Sequence, residues 1–187
     1  MGRWEPDSRG RLQEAALTLF AERGFDQTTA AQIAEAAGLS ERTFFRHFAD
    51  KREVLFGGSE VLRDRIVDGV AAAPAGTGAL DAVGAGLKEA AAMLGEGRRD
   101  LAAKRHSVIA GNPELREREL TKLAGYSAAV AAVLRQRGVE EPQATMAADA
   151  GMTVLRVALQ EWAGGPGGGP DLDAVVRASM EKLKALT

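Results

Sequence analysis

Apolar residues recur along this chain at intervals of three and four positions, which is the spacing of one face of an α-helix. The first such stripe is formed by Leu12, Ala15, Ala16, Leu19 and Phe20. Comparable stripes follow as far as the C-terminus, and we identify no strand. The pattern predicts an all-α fold of about nine helices.

The breaks between the stripes carry residues that start and stop helices. Thr29 is followed three positions later by Gln32, the spacing of a capping box, which predicts a short second helix ending at Gly38. Ser40 is the expected N-cap of a third helix, which ends near His47. Only a tight turn separates these two helices.

Beyond this pair the same signals predict six more helices. The fourth begins at Asp50 and continues to about Ala73, with Gly57 and Gly58 inside it as its most flexible point. The remaining five are expected at about residues 80–94, 98–110, 113–138, 142–162 and 172–186.

The composition argues against several classes of protein. The 187 residues include no Cys, so disulfides and thiolate metal sites are ruled out. No apolar run approaches the ~18 residues that span a bilayer, so we expect a cytoplasmic protein without a membrane partner. The two His residues lack metal-ligand spacing and no G-x-S-x-G motif is present, so we expect neither an enzyme nor a cofactor or metal.

Net charge does not by itself predict a nucleic-acid partner. The formal net charge is −2, and residues 1–56 hold eight basic against nine acidic side chains. A DNA-binding domain is often basic. The case for DNA binding therefore depends on where the basic residues lie.

The second and third helices have the features of a helix-turn-helix, in which the second helix of the pair lies in the major groove. Ala34, Ala37 and Gly38 are small enough to let the two helices cross closely. The small core beneath them is expected to consist of Ile33, Leu39, Phe44 and Phe48.

The third helix would then present its outer face to DNA. Arg42 can donate two hydrogen bonds to guanine, and Thr43 can contact a phosphate or a thymine methyl group. Arg46 and His47 also face outward. Helix N-termini bind phosphates and so position a protein without reading sequence, and the N-termini suited to this are at Thr29, Ser40 and Lys51.

Residues 28–56, TTAAQIAEAAGLSERTFFRHFADKREVLF, resemble the signature of the tetracycline-repressor-type (TetR) regulators. The similarity extends over residues 8–56 and implies a DNA-binding domain at 1–50 and a helical effector-binding and dimerisation domain at 51–187. It implies that Thr29 and Lys51 hold phosphates. The residues that it places in the groove are Ser40, Arg42, Thr43 and His47.

Several of these positions have a second interpretation. The family usually has Tyr where this chain has Phe45, so no phenolic hydroxyl is available to bind phosphate, although Phe45 can still pack on a sugar or a thymine methyl group. Thr29 and Ser40 are also explained as N-caps alone, and His47 as a ring packed against Phe48. Glu41 would repel phosphate, so it is either a cytosine acceptor or a residue that stabilises the helix dipole.

The eighth predicted helix is apolar on almost every side, and such a helix must be buried on two sides. A second copy of the chain is the best cover for one side, in a bundle of the helices near 142–163 and 171–186. The small residues Ala147, Ala148 and Gly151 would let those helices approach closely. The alternative is a central helix of a monomer.

The resemblance also implies a small-molecule pocket among the C-terminal helices. The side chains that suit such a pocket are Met93, His106, Ile109, Tyr126, Met152 and Trp162. Met and aromatic residues at helical spacing are more often part of a core, which is the alternative for this set.

The sequence therefore predicts a transcriptional regulator, with repression as the family default. We expect a homodimer that binds a palindromic operator in double-stranded DNA and is released by a small-molecule effector. The alternatives are a helical ligand-binding or protein-binding module without a DNA function, and an enzyme.

Overall fold

The computed structural model describes residues 7–94, 98–165 and 169–186. Within those ranges the chain forms nine α-helices and no strand, so the predicted fold class is confirmed. No helix in these ranges is long and apolar enough to cross a membrane. The helices are α1 (Ser8–Arg23), α2 (Ala30–Ala36), α3 (Glu41–His47), α4 (Ser59–Ala72), α5 (Ala79–Leu94), α6 (Arg99–Gly111), α7 (Pro113–Gln136), α8 (Gln143–Gly164) and α9 (Leu172–Lys184).

The first two helices begin and end at residues that cap them. The Asp7 carboxylate accepts a 2.8 Å hydrogen bond from the backbone N–H of Gly10, and α1 stops before Gly24, whose φ is 87°. Both bonds of the predicted capping box are present at α2. The N–H of Gln32 donates to Thr29 Oγ1 at 3.2 Å, and the N–H of Thr29 donates to Gln32 Oε1 at 2.9 Å.

The predicted fourth helix is wrong over its first turns. The Asp50 carboxylate does accept the N–H groups of Arg52 and Glu53, at 2.7 and 3.0 Å. The turn that follows is a 3₁₀ turn, Glu53–Phe56, and not an α-helix. Gly58 then adopts a left-handed conformation with φ 88°, which interrupts the helix, and α4 begins at the next residue.

The chain divides into two compact units. The first unit contains the described residues up to Gly57 together with Ala103–Glu117, so part of α6 and the start of α7 belong to it. The second contains the described residues of Gly58–Ala102 and Arg118–Thr187. Side chains buried in the first unit include Leu12, Ile33, Phe44, Val54, Ile109 and Leu115.

In the second unit α4 packs on α5, and α5, α8 and α9 pack on one another. Glycines allow close approaches between these helices. Because Gly86 has no Cβ atom, α5 can pack closely on α4. An added Cβ atom would lie 2.5 Å from the carbonyl oxygen of Ile66. In the same way Gly151 lets α8 pack closely on α5, since an added Cβ atom would lie 2.2 Å from Val83 Cγ1.

The small residues of α8 therefore differ from their expected role. Gly151 serves a crossing within one chain, and Ala148 is fully buried in that chain's own core. Ala147 is half-buried against the same core. The expectation that these three residues let two copies of the chain approach closely was wrong for Ala148 and Gly151, because both are already covered.

Candidate nucleic-acid interface

A tight turn joins α2 to α3. Gly38 in this turn has φ 66°, and the N–H of Leu39 donates to the carbonyl oxygen of Ala34 at 2.8 Å. Of the small core predicted beneath the turn, Ile33, Phe44 and Phe48 are buried, whereas Leu39 is only half-buried. A helix pair with these bounds has the connection expected of a helix-turn-helix.

The outer face of α3 is open to solvent. Arg42 and Arg46 are exposed, and the Phe45 ring is 53% exposed, which is unusual for a large apolar side chain. Thr43 is half-buried, and its hydroxyl lies 3.0 Å from that of Ser40. An exposed aromatic ring between two arginines offers both charge and an apolar surface to a partner.

The N-cap residues of α3 and α2, Ser40 and Thr29, already use their side chains in helix caps. Ser40 Oγ accepts the N–H of Thr43 at 3.2 Å, and Thr29 Oγ1 is part of the capping box of α2. Both residues are exposed. Each hydroxyl proton can still be donated while the oxygen accepts from the backbone, so a cap and a phosphate contact are compatible.

His47 is only partly on the open face. The side chain is half-buried, and its Nε2 atom is buried without a hydrogen-bond partner. Its ring centroid lies 6.4 Å from that of Phe48. Burial, together with the positive charges of Arg46 and Arg9, lowers the pKa of His47 below its ordinary value.

The ammonium group of Lys51 is bound to the loop between α1 and α2. It donates to the carbonyl oxygens of Phe25, Asp26 and Thr28, at 2.8, 3.3 and 3.1 Å. It also lies 4.4 Å from the centroid of the Phe25 ring. An ammonium has three protons, so in this structure all of them are directed at the protein's own backbone.

Two regions of the chain match family models of known regulators. Residues 12–56 match bacterial regulatory proteins of the tetR family, and residues 77–186 match the MftR C-terminal domain. The second match alone covers more than half of the chain. The chain belongs to the TetR family. It is therefore a DNA-binding transcriptional regulator, as the resemblance of residues 28–56 implies.

Known TetR regulators are similar over different parts of the chain. TcmR of Streptomyces glaucescens is 37% identical over 49% of this chain, a match that spans 39% of TcmR itself. The mycofactocin biosynthesis regulator MftR of Mycobacterium tuberculosis, described as putative, is 28% identical over 87% of this chain and 81% of its own length. FadR of Bacillus subtilis, solved in complex with stearoyl-CoA, shares the fold with a TM-score of 0.64 at 21% identity, covering 93% of this chain and 96% of FadR.

Side chains of α1 hold the TetR helix-turn-helix in place through contacts that the sequence pattern does not predict. Arg11 donates to the carbonyl oxygen of Ala37, at the end of α2. Gln13 Nε2 donates to the carbonyl oxygens of Val54 and Gly57, at 3.3 and 3.1 Å. Polar residues on a surface helix normally indicate a solvated face, so no sequence signal distinguishes these two.

A second set of contacts comes from α6 and the start of α7. Arg105 Nε donates to the carbonyl oxygen of Leu55 at 2.7 Å, and its guanidinium lies 5.3 Å from the centroid of the Phe56 ring. Arg52 Nη1 lies 3.5 Å from Glu114 Oε2. The 3₁₀ turn Glu53–Phe56 is therefore held by Arg105, 50 positions after Leu55 in the chain.

The six predicted effector residues are divided between the two compact units. Tyr126, Met152 and Trp162 are buried in the core of the second unit, and the Tyr126 hydroxyl donates to the carbonyl oxygen of Ser59 at 2.7 Å. His106 and Ile109 belong to the first unit, and Met93 is half-buried on α5. A groove of about 580 Å³ opens between α5 and α9, and none of the six residues lines it.

Proposed function

We propose that this TetR regulator is a homodimeric repressor that reads a palindromic operator with α3 and is released by a small molecule bound to its C-terminal unit. The observation that carries this proposal is the open face of α3, where Arg42, Phe45 and Arg46 are all exposed beside two capped helix N-termini. DNA contacts require such a face, whereas a helix inside a bundle would cover it.

The exposed side chains have different roles in the proposed complex. Arg42, in the first turn of α3, donates a bidentate pair of hydrogen bonds to guanine. Thr43 and Phe45 contact a thymine methyl group or a sugar, and Arg46 contacts a phosphate or a base edge. Thr29 and Ser40 hold phosphates at two helix N-termini. His47 supports the C-terminal end of α3 from its half-buried position.

The role proposed for Lys51 follows from its partners. Its three hydrogen bonds hold the loop that precedes Thr29, so it positions the N-terminus of α2 for a phosphate. A direct phosphate contact from the same ammonium would require giving up one of these bonds. We therefore propose a positioning role for Lys51 in place of the contact that the resemblance implies.

Dimerisation is proposed through the outer faces of α8 and α9. Met146 is 59% exposed and Val157 is 41% exposed, and Ala150 and Thr153 lie between them at helical spacing on the same face of α8. A second copy would bury this stripe. Val157→Glu should shift the chain to monomer in sedimentation equilibrium, whereas Leu120→Glu, at an exposed apolar position on α7, should leave the dimer intact.

The DNA-binding role is tested by selecting duplexes from a random pool with the purified chain and measuring their affinity against salt. Specific binding should weaken linearly in log Kd against log salt, and a palindromic consensus would support the dimer. Arg42→Ala should cost about 1–3 kcal/mol and relax the preference at one base position. If no duplex is enriched above background, the chain is better described as a helical binding module without a DNA function.

Release is tested on the selected operator complex. Small molecules are added while fluorescence anisotropy reports the bound duplex, and a true effector lowers the affinity without unfolding the chain. The same compound must raise the thermal midpoint of the free protein, because a ligand of the native state stabilises it. A compound that dissociates DNA but lowers this midpoint is acting as a denaturant and does not support the proposal.

A further inference from the structure

We propose that Arg9, in the first turn of α1, belongs to the DNA-binding surface and contacts a backbone phosphate beside the C-terminal end of α3. This inference rests on the proposed function and adds a contact from a helix outside the helix-turn-helix pair. Nothing in the motif itself points to Arg9, because it lies well before residue 28.

The position of Arg9 is fixed by an aromatic ring. Its guanidinium carbon lies 5.3 Å from the centroid of the Phe48 ring. Phe48 is the C-cap residue of α3 and is only 3% exposed. The ring is therefore rigid, and it holds the guanidinium next to the last turn of the recognition helix. A stacked guanidinium keeps the N–H groups of its edge available for hydrogen bonds in its own plane.

The surroundings of Arg9 are basic and open. Arg9 itself is exposed, and so is Arg46 on the last turn of α3. The positive charges of both residues act on His47. Two cations from different helices thus converge on one end of α3 without being buried. Cations held close together at the surface repel each other, and a phosphate placed between them would relieve that repulsion.

The experiment uses the full chain, the operator duplex obtained by selection and an unrelated duplex of equal length. Binding of wild type, Arg9→Gln and Arg9→Lys is measured by anisotropy over a series of KCl concentrations. Arg9→Gln should make the slope of log Kd against log salt shallower by about 0.9 for each phosphate that the side chain no longer neutralises. It should weaken binding to both duplexes by the same factor, because a phosphate contact carries no sequence information. Arg9→Lys keeps the charge and should retain the wild-type slope.

Arg23→Gln is the matched control, because Arg23 is an exposed arginine in the last turn of the same helix. Arg23→Gln should leave the slope of log Kd against log salt and the affinity for both duplexes unchanged. If Arg9→Gln lowers affinity while the salt slope stays at the wild-type value, Arg9 only supports Phe48 and the proposal is overturned. It is also overturned if Arg9→Gln binds as wild type. Failure of the wild-type chain to bind any selected duplex would instead refute the proposed function.

Discussion

The ammonium group of Lys51 donates a 2.8 Å hydrogen bond to the carbonyl oxygen of Phe25 and lies 4.4 Å from the centroid of the ring of that residue. One side chain thereby joins the segment after α3 to the loop before α2. Two more carbonyl oxygens of that loop, those of Asp26 and Thr28, accept from the same group. Lys51, which was expected to bind DNA, thus connects the segment after α3 to the loop before α2.

This arrangement predicts that Lys51 acts mainly on stability. Lys51→Met keeps most of the apolar stem and removes three charge-assisted hydrogen bonds, so the free energy of unfolding should fall by about 1.5–3 kcal/mol. Lys88→Met, at an exposed position on α5, should change it by less than about 0.5 kcal/mol. Guanidinium denaturation of both variants measures the difference.

Lys51→Met also distinguishes a positioning role from a direct phosphate contact. If Lys51 positions the loop, Lys51→Met weakens DNA binding with little change in the salt slope. If Lys51→Met is as stable as wild type but its slope of log Kd against log salt falls by about 1, Lys51 contacts a phosphate directly. The positioning role would then be dropped.

A second prediction concerns the two roles of Thr29. Thr29→Ala removes the capping-box acceptor of α2 and should cost about 1 kcal/mol of stability. Thr29→Asn keeps a good N-cap without adding charge, so its stability should match wild type. Thr29→Asp is an equally good cap that carries a negative charge, and it should be as stable as wild type but bind DNA much more weakly, because its carboxylate repels the phosphate.

Anisotropy on the selected operator and thermal unfolding of the three Thr29 variants give both readouts. Thr29 is only a cap if Thr29→Asp binds DNA as tightly as Thr29→Asn does. In that case the phosphate contact at the start of α2 is assigned to the backbone N–H groups alone.

The parts of the structure that could be predicted from the sequence are those with local causes. Thr29 and Ser40 each cap the helix that follows them, through bonds that span three residues. Local chemistry was not sufficient to predict the structure after Asp50. The Asp50 cap is present, but a 3₁₀ turn follows it in place of the predicted α-helix. The left-handed conformation of Gly58 interrupts the chain there, and a Gly-Gly pair is equally compatible with a flexible helix and with a break.

The exposed face of the candidate site could also be predicted, whereas its supporting contacts could not. Arg42 and Arg46 follow from helical periodicity. The partners of Lys51 are backbone carbonyl groups at least 23 positions earlier, and any residue could supply them. The same reason applies to Arg105, whose acceptor is the carbonyl oxygen of Leu55. Long-range side-chain contacts to backbone leave no pattern in the acceptor's sequence.

The third prediction tests the crossing of α4 and α5. Gly86→Ala places a methyl group 2.5 Å from the carbonyl oxygen of Ile66 and 2.7 Å from Val70 Cγ2, so the helices must separate. We expect a loss of about 1–3 kcal/mol in the free energy of unfolding. Gly125→Ala is the control, because it lies on the exposed side of α7 with no heavy atom within 4 Å of the added Cβ. It should raise stability by about 0.5–1 kcal/mol.

Chemical denaturation of the two glycine variants measures both expected changes in the free energy of unfolding, a loss for Gly86→Ala and a gain for Gly125→Ala. Gly86→Ala and Gly125→Ala make the same chemical change in the same unit, so helix propensity alone predicts the same sign for both. A stabilised Gly86→Ala variant would show that α4 and α5 are further apart than these distances require.

The last prediction concerns protonation of His47. Burial and the charges of Arg46 and Arg9 lower its pKa, so the folded protein prefers the neutral imidazole. A group with a lowered pKa in the folded state stabilises the protein fully above its unfolded pKa, near 6.5, and this contribution is lost as the pH falls through the folded pKa. The imidazole resonance of His47, assigned by its absence in His47→Gln, should therefore titrate below pH 6.5 in NMR spectra.

The cause of that shift can be divided between burial and charge. Arg46→Gln removes one neighbouring cation and should move the His47 midpoint upward, while Arg23→Gln, at the far end of α1, should leave it unchanged. Bound DNA should move it further in the same direction, because phosphates favour the imidazolium form. A midpoint at or above 6.5 in the free protein would contradict the lowered pKa of His47. An unchanged midpoint on DNA binding would instead place the phosphates away from this end of α3.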